Sequence, residues 1–390
     1  MTFFKNLAVS LFSFLLFLSL AIFGLAFTLK STALNPDFVT SELSRLEVSS
    51  LAEEFIYIET PTELPKLNET IYETISSIEP LVKEQLSSAI HSVYDYLLGE
   101  TQNPDLVLVL RNTFLSSDFV SSLVDNIDIS SLAGLFISQQ FAEAIPVEIE
   151  NLDEYIVDAI DASEPSLKEQ IVAVSGPVFD YLLVESQTLK ASISLEEVHG
   201  NLKDKLRQVF LDSPPPELAT IPRNLREAYY NQFYREFSEE IPSTFQVDES
   251  VIGNEVPADI AEGLASAEEA LQQARQYVDY FQLGYTLLLV FMALFVLGII
   301  LIIRNVKDIT RRLGVPLITY GAIQYASIWV TKYLMRGHIP FPEMMPIYLK
   351  TWMFQFTDNM LKPLEMFSIS LLIGGAVLTI ISVVYRRGQS

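Results

Sequence analysis

Leu283–Ile303 reads LGYTLLLVFMALFVLGIILII, a run without a single charge, stopped by Arg304 with Lys307, Arg311 and Arg312 close behind. About 20 apolar residues suffice for a helix to cross bilayer hydrocarbon, and basic flanks mark the cytoplasmic side. Three further runs pass the same test. Leu7–Leu29 has only Ser10, Ser13, Ser19 and Thr28 as polar residues. Gly24-Leu25-Ala26 would tolerate cleavage, but the run exceeds the ~7–15 apolar residues of a signal peptide and reads as a retained anchor. The run from Val315 to Val330 is amphipathic through Thr319, Tyr320, Gln324 and Ser327, and Phe367–Tyr385 ends in Arg386-Arg387. With both basic clusters inside, four spans and two cytoplasmic termini satisfy every flank.

Working outward, composition agrees with this layout. The 390 residues are 50% hydrophobic, contain no cysteine and carry a net charge of −24. Missing cysteine excludes disulfide scaffolds, Cys-ligated zinc, Fe–S clusters and thiol catalysis. The acidic balance argues against nucleic acid as a partner, because a polyanion requires a basic face. Residues 31–280 hold 45 acidic and 13 basic side chains, whereas the rest of the chain holds 4 and 12. The acidic mass therefore forms one block between the first two spans, expected outside the membrane and large enough to bury its own core.

That block repeats itself. Asp37-Phe38-Val39, Val48-Ser49-Ser50-Leu51-Ala52 and Leu64-Pro65 recur at one constant offset as Asp118-Phe119-Val120, Ile129-Ser130-Ser131-Leu132-Ala133 and Ile145-Pro146. Beyond an insertion at Val147–Asn151 the offset lengthens by four and is constant again. Glu79-Pro80, Lys83-Glu84-Gln85 and Asp95-Tyr96-Leu97-Leu98 return as Glu164-Pro165, Lys168-Glu169-Gln170 and Asp180-Tyr181-Leu182-Leu183. A degenerate third copy follows, where Phe114-Leu115 becomes Phe210-Leu211 and, at the same offset, Ile145-Pro146 becomes Ile241-Pro242. Val247-Asp248-Glu249 would answer to Leu152-Asp153-Glu154 in that copy, and Asp279-Tyr280 to Asp180-Tyr181. Its last helix would then run directly into the span at Leu283.

Each unit reads as helical. Val82, Leu86, Ile90, Val93 and Leu97 form one apolar stripe at helical spacing. Pro80 suits a first turn, and Gly176-Pro177 should kink the second copy. Sustained alternation is absent except at Leu106–Leu110, so strands are not expected. The fold class is all-α, a four-span membrane protein with an extracytoplasmic domain of two or three tandem helical repeats. The blocks are an anchor at 1–30, repeats at 31–112, 113–206 and 207–282, spans at 283–304, 315–335 and 365–386, and a Met- and aromatic-rich interfacial loop at 336–364.

Chemistry-bearing motifs are sparse. The histidines are His91, His199 and His338; Glu196-x-x-His199 has the spacing of a carboxylate–histidine metal pair but occurs once. Asp158, Asp161 and Glu164 share a helical face, without the glycine-containing pattern of a calcium loop. No HExxH, phosphate-binding, GxGxxG or GxSxG motif is present. Six of the eight methionines fall between residues 333 and 366, interleaved with aromatics. Met344, Met345, Trp352, Phe354 and Phe356 are the candidate contacts for a partner or for lipid. Thr319, Tyr320 and Gln324 are candidates for polar packing between spans, which otherwise hold no firm ionisable residue; Ala322-xxx-Ala326 and Ser370-xxx-Gly374 offer close approach.

The function expected is non-enzymatic: an acidic repeat ectodomain that binds a partner or ligand outside the cell membrane, on a four-span base. The partners expected are membrane lipid and another membrane or envelope protein, with self-association open and no cofactor or metal implied. Two other readings stand beside it, a channel or transporter subunit acting through the third and fourth spans, and a metal-dependent enzyme resting on Glu196 and His199.

Overall fold

The computed structural model describes residues 2–51, 65–131, 152–212, 214, 218–240, 243–338 and 345–387. Among these the chain is almost wholly helical. It forms two compact units, one of Met1–Leu46, Ile90–Pro104 and Ala270–Ser390, the other of Glu47–Ala89 and Asp105–Glu269.

Four helices are long and apolar enough to cross a membrane; three lie in the first unit, and the other enters it at Ala270. They are α1 (Thr2–Ser31), α11 (Val256–Ile303), α12 (Val306–His338) and α13 (Ile347–Arg387); short α2 (Pro36–Ser44) follows α1. The interior between the long helices is apolar, with Leu16, Leu20, Ile299, Leu313 and Tyr320 buried. Their other faces expose large side chains such as Phe14, Leu25, Leu301 and Ile373, as expected of helices whose solvent is hydrocarbon. α11 is one uninterrupted helix of 48 residues, polar at its start and apolar at its end. With a rise of about 1.5 Å per residue, it is more than twice the length that a bilayer core requires.

α12 and α13 meet through glycine. A Cβ on Gly314 would lie 2.9 Å from the Gly375 carbonyl oxygen, and one on Gly321 would lie 2.8 Å from the Ser368 carbonyl oxygen. Small residues two turns apart on each helix thus form the seam. The pairs expected for this role do not supply it: Ala322, Ala326 and Ser370 are exposed, and nothing lies within 4 Å of a Cβ on Gly374. All four lie one position to either side of the seam (Gly321, Ser368, Gly375) or further round the helix, which spacing alone could not reveal.

The second unit takes the first part of α3 (Pro65–Leu97), then α4 (Leu106–Asn112), α5 (Ser117–Asp125), α6 (Leu152–Asp161) and α7 (Glu164–Leu182). A strand, β1 (Lys190–Ser194), leads to α8 (Glu196–Asp212) and α9 (Arg223–Glu240); β2 (Thr244–Asp248), one helical turn, α10 (Glu249–Ile252), and the start of α11 complete the unit, which ends at Glu269. Ile156, Ile160, Leu202, Leu206, Phe210 and Tyr230 are the centre of its core, from α6, α8 and α9. β1 and β2 pair antiparallel, Lys190 opposite Asp248 and Ser194 opposite Thr244. This ribbon was not expected, because each strand is too short for a period to register and the pairing joins segments with two helices between them. It also places Val247-Asp248 in a strand where Leu152-Asp153 begins a helix. Leu106–Leu110, the one alternation-like run, is helical: every position in it is apolar, and the Asp105 side chain accepts the Leu108 N–H as a cap at 3.1 Å. α4 and α5 form a bent apolar pair at 46°, but Arg111 in the last turn of α4 is ion-paired to Asp180 and Glu185.

Matching geometry recurs at the offsets seen in the sequence. α2 and α5 start and stop at one such offset from each other, each capped by a side chain, Asn35 accepting from Asp37 N–H and Ser116 from Phe119 N–H. Glu79 accepts the Val48 and Ser49 N–H groups at 3.1 and 2.9 Å and pairs with Lys83. Glu164, its counterpart in the second copy, accepts the Ser130 N–H at 3.0 Å and pairs with Lys168. α3 and α7 end alike: the N–H groups of Glu100 and Thr101 donate to the Asp95 carbonyl, and those of Glu185 and Ser186 to the Asp180 carbonyl.

The differences are local. Pro80 is inside α3 rather than in a first turn, because α3 has no break before it; α7 does start beside Pro165, after a break at Ala162-Ser163. That break also separates Asp158 and Asp161 from Glu164, so the three do not share one helix. α7 itself runs through Gly176-Pro177. In the terminal turns, Gly99 has φ +89°, and its counterpart Val184 has φ +62°. A β-branched residue in the left-handed region is strained, and the exposed Val184 side chain offsets little of it. Val184→Gly is expected to raise stability by about 1 kcal/mol, less the entropy that glycine loses on folding, read as a higher Tm of the full chain.

Candidate functional site

A concave site in the second unit lies against α5 and α7, a cleft of about 720 Å3. Asp125, Asp161, Glu164 and Glu169 supply four carboxylates to its wall, and Lys168 supplies a cation, while Pro165 and Val172 give it apolar surface. Each is placed by a local rule. Glu164 occupies the first turn of α7, where the helix dipole favours negative charge, with Glu169 further along that helix, whereas Asp125 ends α5 and Asp161 ends α6, where it does not. Glu164 and Lys168 are engaged internally: Glu164 binds the Ser130 N–H, and the Lys168 ammonium donates to the Asp125 carbonyl oxygen at 3.0 Å. Burial opposes ionisation of Glu164, but Lys168 and the Ser130 bonds outweigh it and hold its pKa below the usual carboxylate value. Asp125, Asp161 and Glu169 are exposed and, among the described residues, their carboxylates form no ion pair. The cleft can therefore accept cationic groups from a partner over an apolar floor. In the first copy, Asp125 and Asp161 answer to Ser44 and Ser76.

The aromatic candidates fall in the first unit. Residues 347–364, assigned to a loop on sequence, are the first part of α13. Trp352 and Phe356 stack at 5.4 Å between centroids and face α2: Trp352 Nε1 donates to the Glu42 carbonyl at 3.0 Å, and Phe356 lies 6.2 Å from Phe38. Tyr348 donates to the Arg45 carbonyl at 2.9 Å. Glu42 is only 3% exposed, and its carboxylate accepts from Arg45 and from the Asn359 amide. Trp352 and Phe356 thus serve an intramolecular contact. Phe354 and Met345 are half-buried, and Met344 lies outside the described residues.

Among the polar span residues, Tyr320 is buried beside Gly24, with Phe17 and Phe367 edge-on to its ring. Among the described residues its hydroxyl has no hydrogen-bond partner. Thr319 is exposed and Gln324 half-buried, and among the described residues neither makes a side-chain hydrogen bond, so the three do not form a polar seam.

An ionic cluster was missed on sequence. Lys332 of α12 donates to Glu365 of α13 at 2.8 Å and lies 4.0 Å from Asp358, which also pairs with Arg336. The spans are thus not free of ionisable groups. Their partners lie 33 and 22 residues apart along the chain, so only the antiparallel hairpin brings them together; the one available signal was opposite charge at the facing ends of two adjacent spans.

The histidines do not converge. His91 lies 3.7 Å from Asp37, and His199 sits half-buried in α8 while exposed Glu196 starts that helix. The backbone of His338 ends α12. Among the described residues no three His, Asp or Glu side chains are grouped to hold a metal ion.

The fold and these sites define a class: an all-α chain with four helices long and apolar enough to span a membrane. No protein-family model, curated protein or solved structure matches it.

Proposed function

We propose that this chain is a non-enzymatic, multi-pass cell-membrane protein whose acidic, internally repeated helical ectodomain binds a cationic segment of another membrane or envelope protein. Residues 31–282 lie outside the membrane in this reading, and both termini are cytoplasmic. The observation that carries it is the cleft beside α5 and α7, where three exposed carboxylates without ion pairs among the described residues surround apolar Pro165 and Val172. The cleft focuses the field of a block with 45 acidic side chains, which attracts and orients basic partners before contact. The repeated Glu79 and Glu164 clamps support the tandem-repeat organisation, since stacked helical units present extended surfaces for binding.

The test is crosslinking in native membranes followed by mass spectrometry, on the full chain and on D125N/D161N/E169Q. The expected result is a near-stoichiometric partner crosslinked within residues 121–172 and enriched in Lys and Arg at the contact. Neutralising three carboxylates should weaken capture about tenfold or more, and added salt should do likewise. Unchanged capture by the triple variant would remove the cleft from the function.

A further inference from the structure

Within the first unit, α1, the end of α11 and the start of α12 enclose a second cleft, of about 770 Å3. Lys5, Arg311 and Arg312 line it, and Asp308 supplies a single carboxylate. Among the described residues none of the three cations lies within 4 Å of a carboxylate, although this chain has nearly twice as many acidic as basic side chains. Three uncompensated cations around one concavity repel one another, and an anion in their midst relieves that cost.

Ser13 adds a second, independent sign. It lines the same cleft, and its Oγ is shielded from solvent without any hydrogen-bond partner among the described residues. Hydroxyls in a helix ordinarily donate to the carbonyl four residues back, as Thr28 and Thr32 do at the end of α1. An orphaned donor inside a basic cleft suits an anionic oxygen.

The apolar part of the lining shows where the anion would come from. Val9, Ile303, Val315 and Pro316 complete the wall, and Val315 is itself exposed. Cations beside apolar side chains on helices of this length match an amphiphile, and basic pockets between membrane helices are suited to lipid headgroups. We infer that this cleft binds the phosphate of an anionic phospholipid, with Lys5, Arg311, Arg312 and Ser13 as its donors and the acyl chains along α1 and α11.

The experiment titrates delipidated full-length protein in neutral detergent with short-chain phosphatidylglycerol, short-chain phosphatidylcholine and inorganic phosphate. R311Q/R312Q should bind phosphatidylglycerol roughly 30-fold more weakly, at about a factor of five per cation. R304Q/K307Q removes two charges at the same end but outside the cleft, and should lose less than threefold. S13A, which alters no charge and leaves the helix intact, should lose a few-fold. Equal losses in the two double variants, or equal affinity for phosphatidylcholine, would overturn the site. Inorganic phosphate binding as tightly as phosphatidylglycerol would overturn its assignment to lipid.

Discussion

Gly375→Ala is expected to break the packing of α12 against α13. The added methyl would lie 2.7 Å from Ile318 Cγ1, 2.8 Å from the Gly314 carbonyl oxygen and 2.9 Å from the Ile318 amide nitrogen. Two of these atoms are backbone, so no rotamer change gives relief and the helices must move apart. Overpacking of this kind costs roughly 1–3 kcal/mol and more where main chain is struck. Helices in a bilayer gain little from hydrophobic burial against each other and depend on close approach, so the loss should fall on the whole hairpin. It should also separate Lys332 from Glu365. The neighbouring Gly374→Ala is the control, because nothing lies within 4 Å of its Cβ and alanine favours a helix. Resistance to denaturation in mixed micelles should fall by several kcal/mol for Gly375→Ala on these grounds and hold or rise for Gly374→Ala. Equal behaviour of the two variants would contradict the seam.

Glu79→Ala should be the most damaging change in the helical unit outside the long apolar helices. Its carboxylate satisfies the Val48 and Ser49 N–H groups, the start of a helical segment, and holds Lys83 at 2.6 Å. Removal strands two backbone donors, at roughly 2–4 kcal/mol. The same contacts set a pH dependence. Burial raises the Glu79 pKa, but Lys83, Ser49 and the two N–H groups outweigh it and bring it to about 2, from an ordinary value of 4.5. A lowered native pKa means stability that is complete above the unfolded value and is lost as protons bind the unfolded chain more strongly. The loss therefore begins below about pH 4.5 and is complete near pH 2. Allowing for partial exposure, it amounts to about 2 kcal/mol. Asp128 and Glu164 are lowered for similar reasons and act in the same direction. Acid unfolding followed by circular dichroism should show a shallower acid limb in Glu79→Ala; an unchanged limb would assign the dependence to other groups.

Much was legible in the chain because it depended on local composition. Long uncharged runs can satisfy their backbone only as helices, so all four long helices could be placed from their apolar stretches. The equal offsets of α2 with α5 needed only matching side chains at Asp37 and Asp118. The limits were equally physical. α13 runs back to Ile347 through polar and aromatic residues because α2 covers them, which hydropathy cannot see. The acidic cleft was half visible: Asp161 and Glu164 were singled out as carboxylates on one helix, but the break at Ala162-Ser163 and the arrival of Asp125 make them walls of a concavity.

The amino-acid order by itself determined where the four long apolar stretches are, how apolar each one is, and that one block of the chain holds nearly all the negative charge. Those are sums over neighbours in sequence, set by hydrogen-bond satisfaction, transfer free energy and charge count. Only the tertiary structure decided which small residues touch, that Lys332 meets Glu365, that Trp352 is spent on α2, and that Ser13 faces cations without a partner among the described residues. These depend on helix rotation and on pairs up to 310 residues apart, quantities that no local pattern contains.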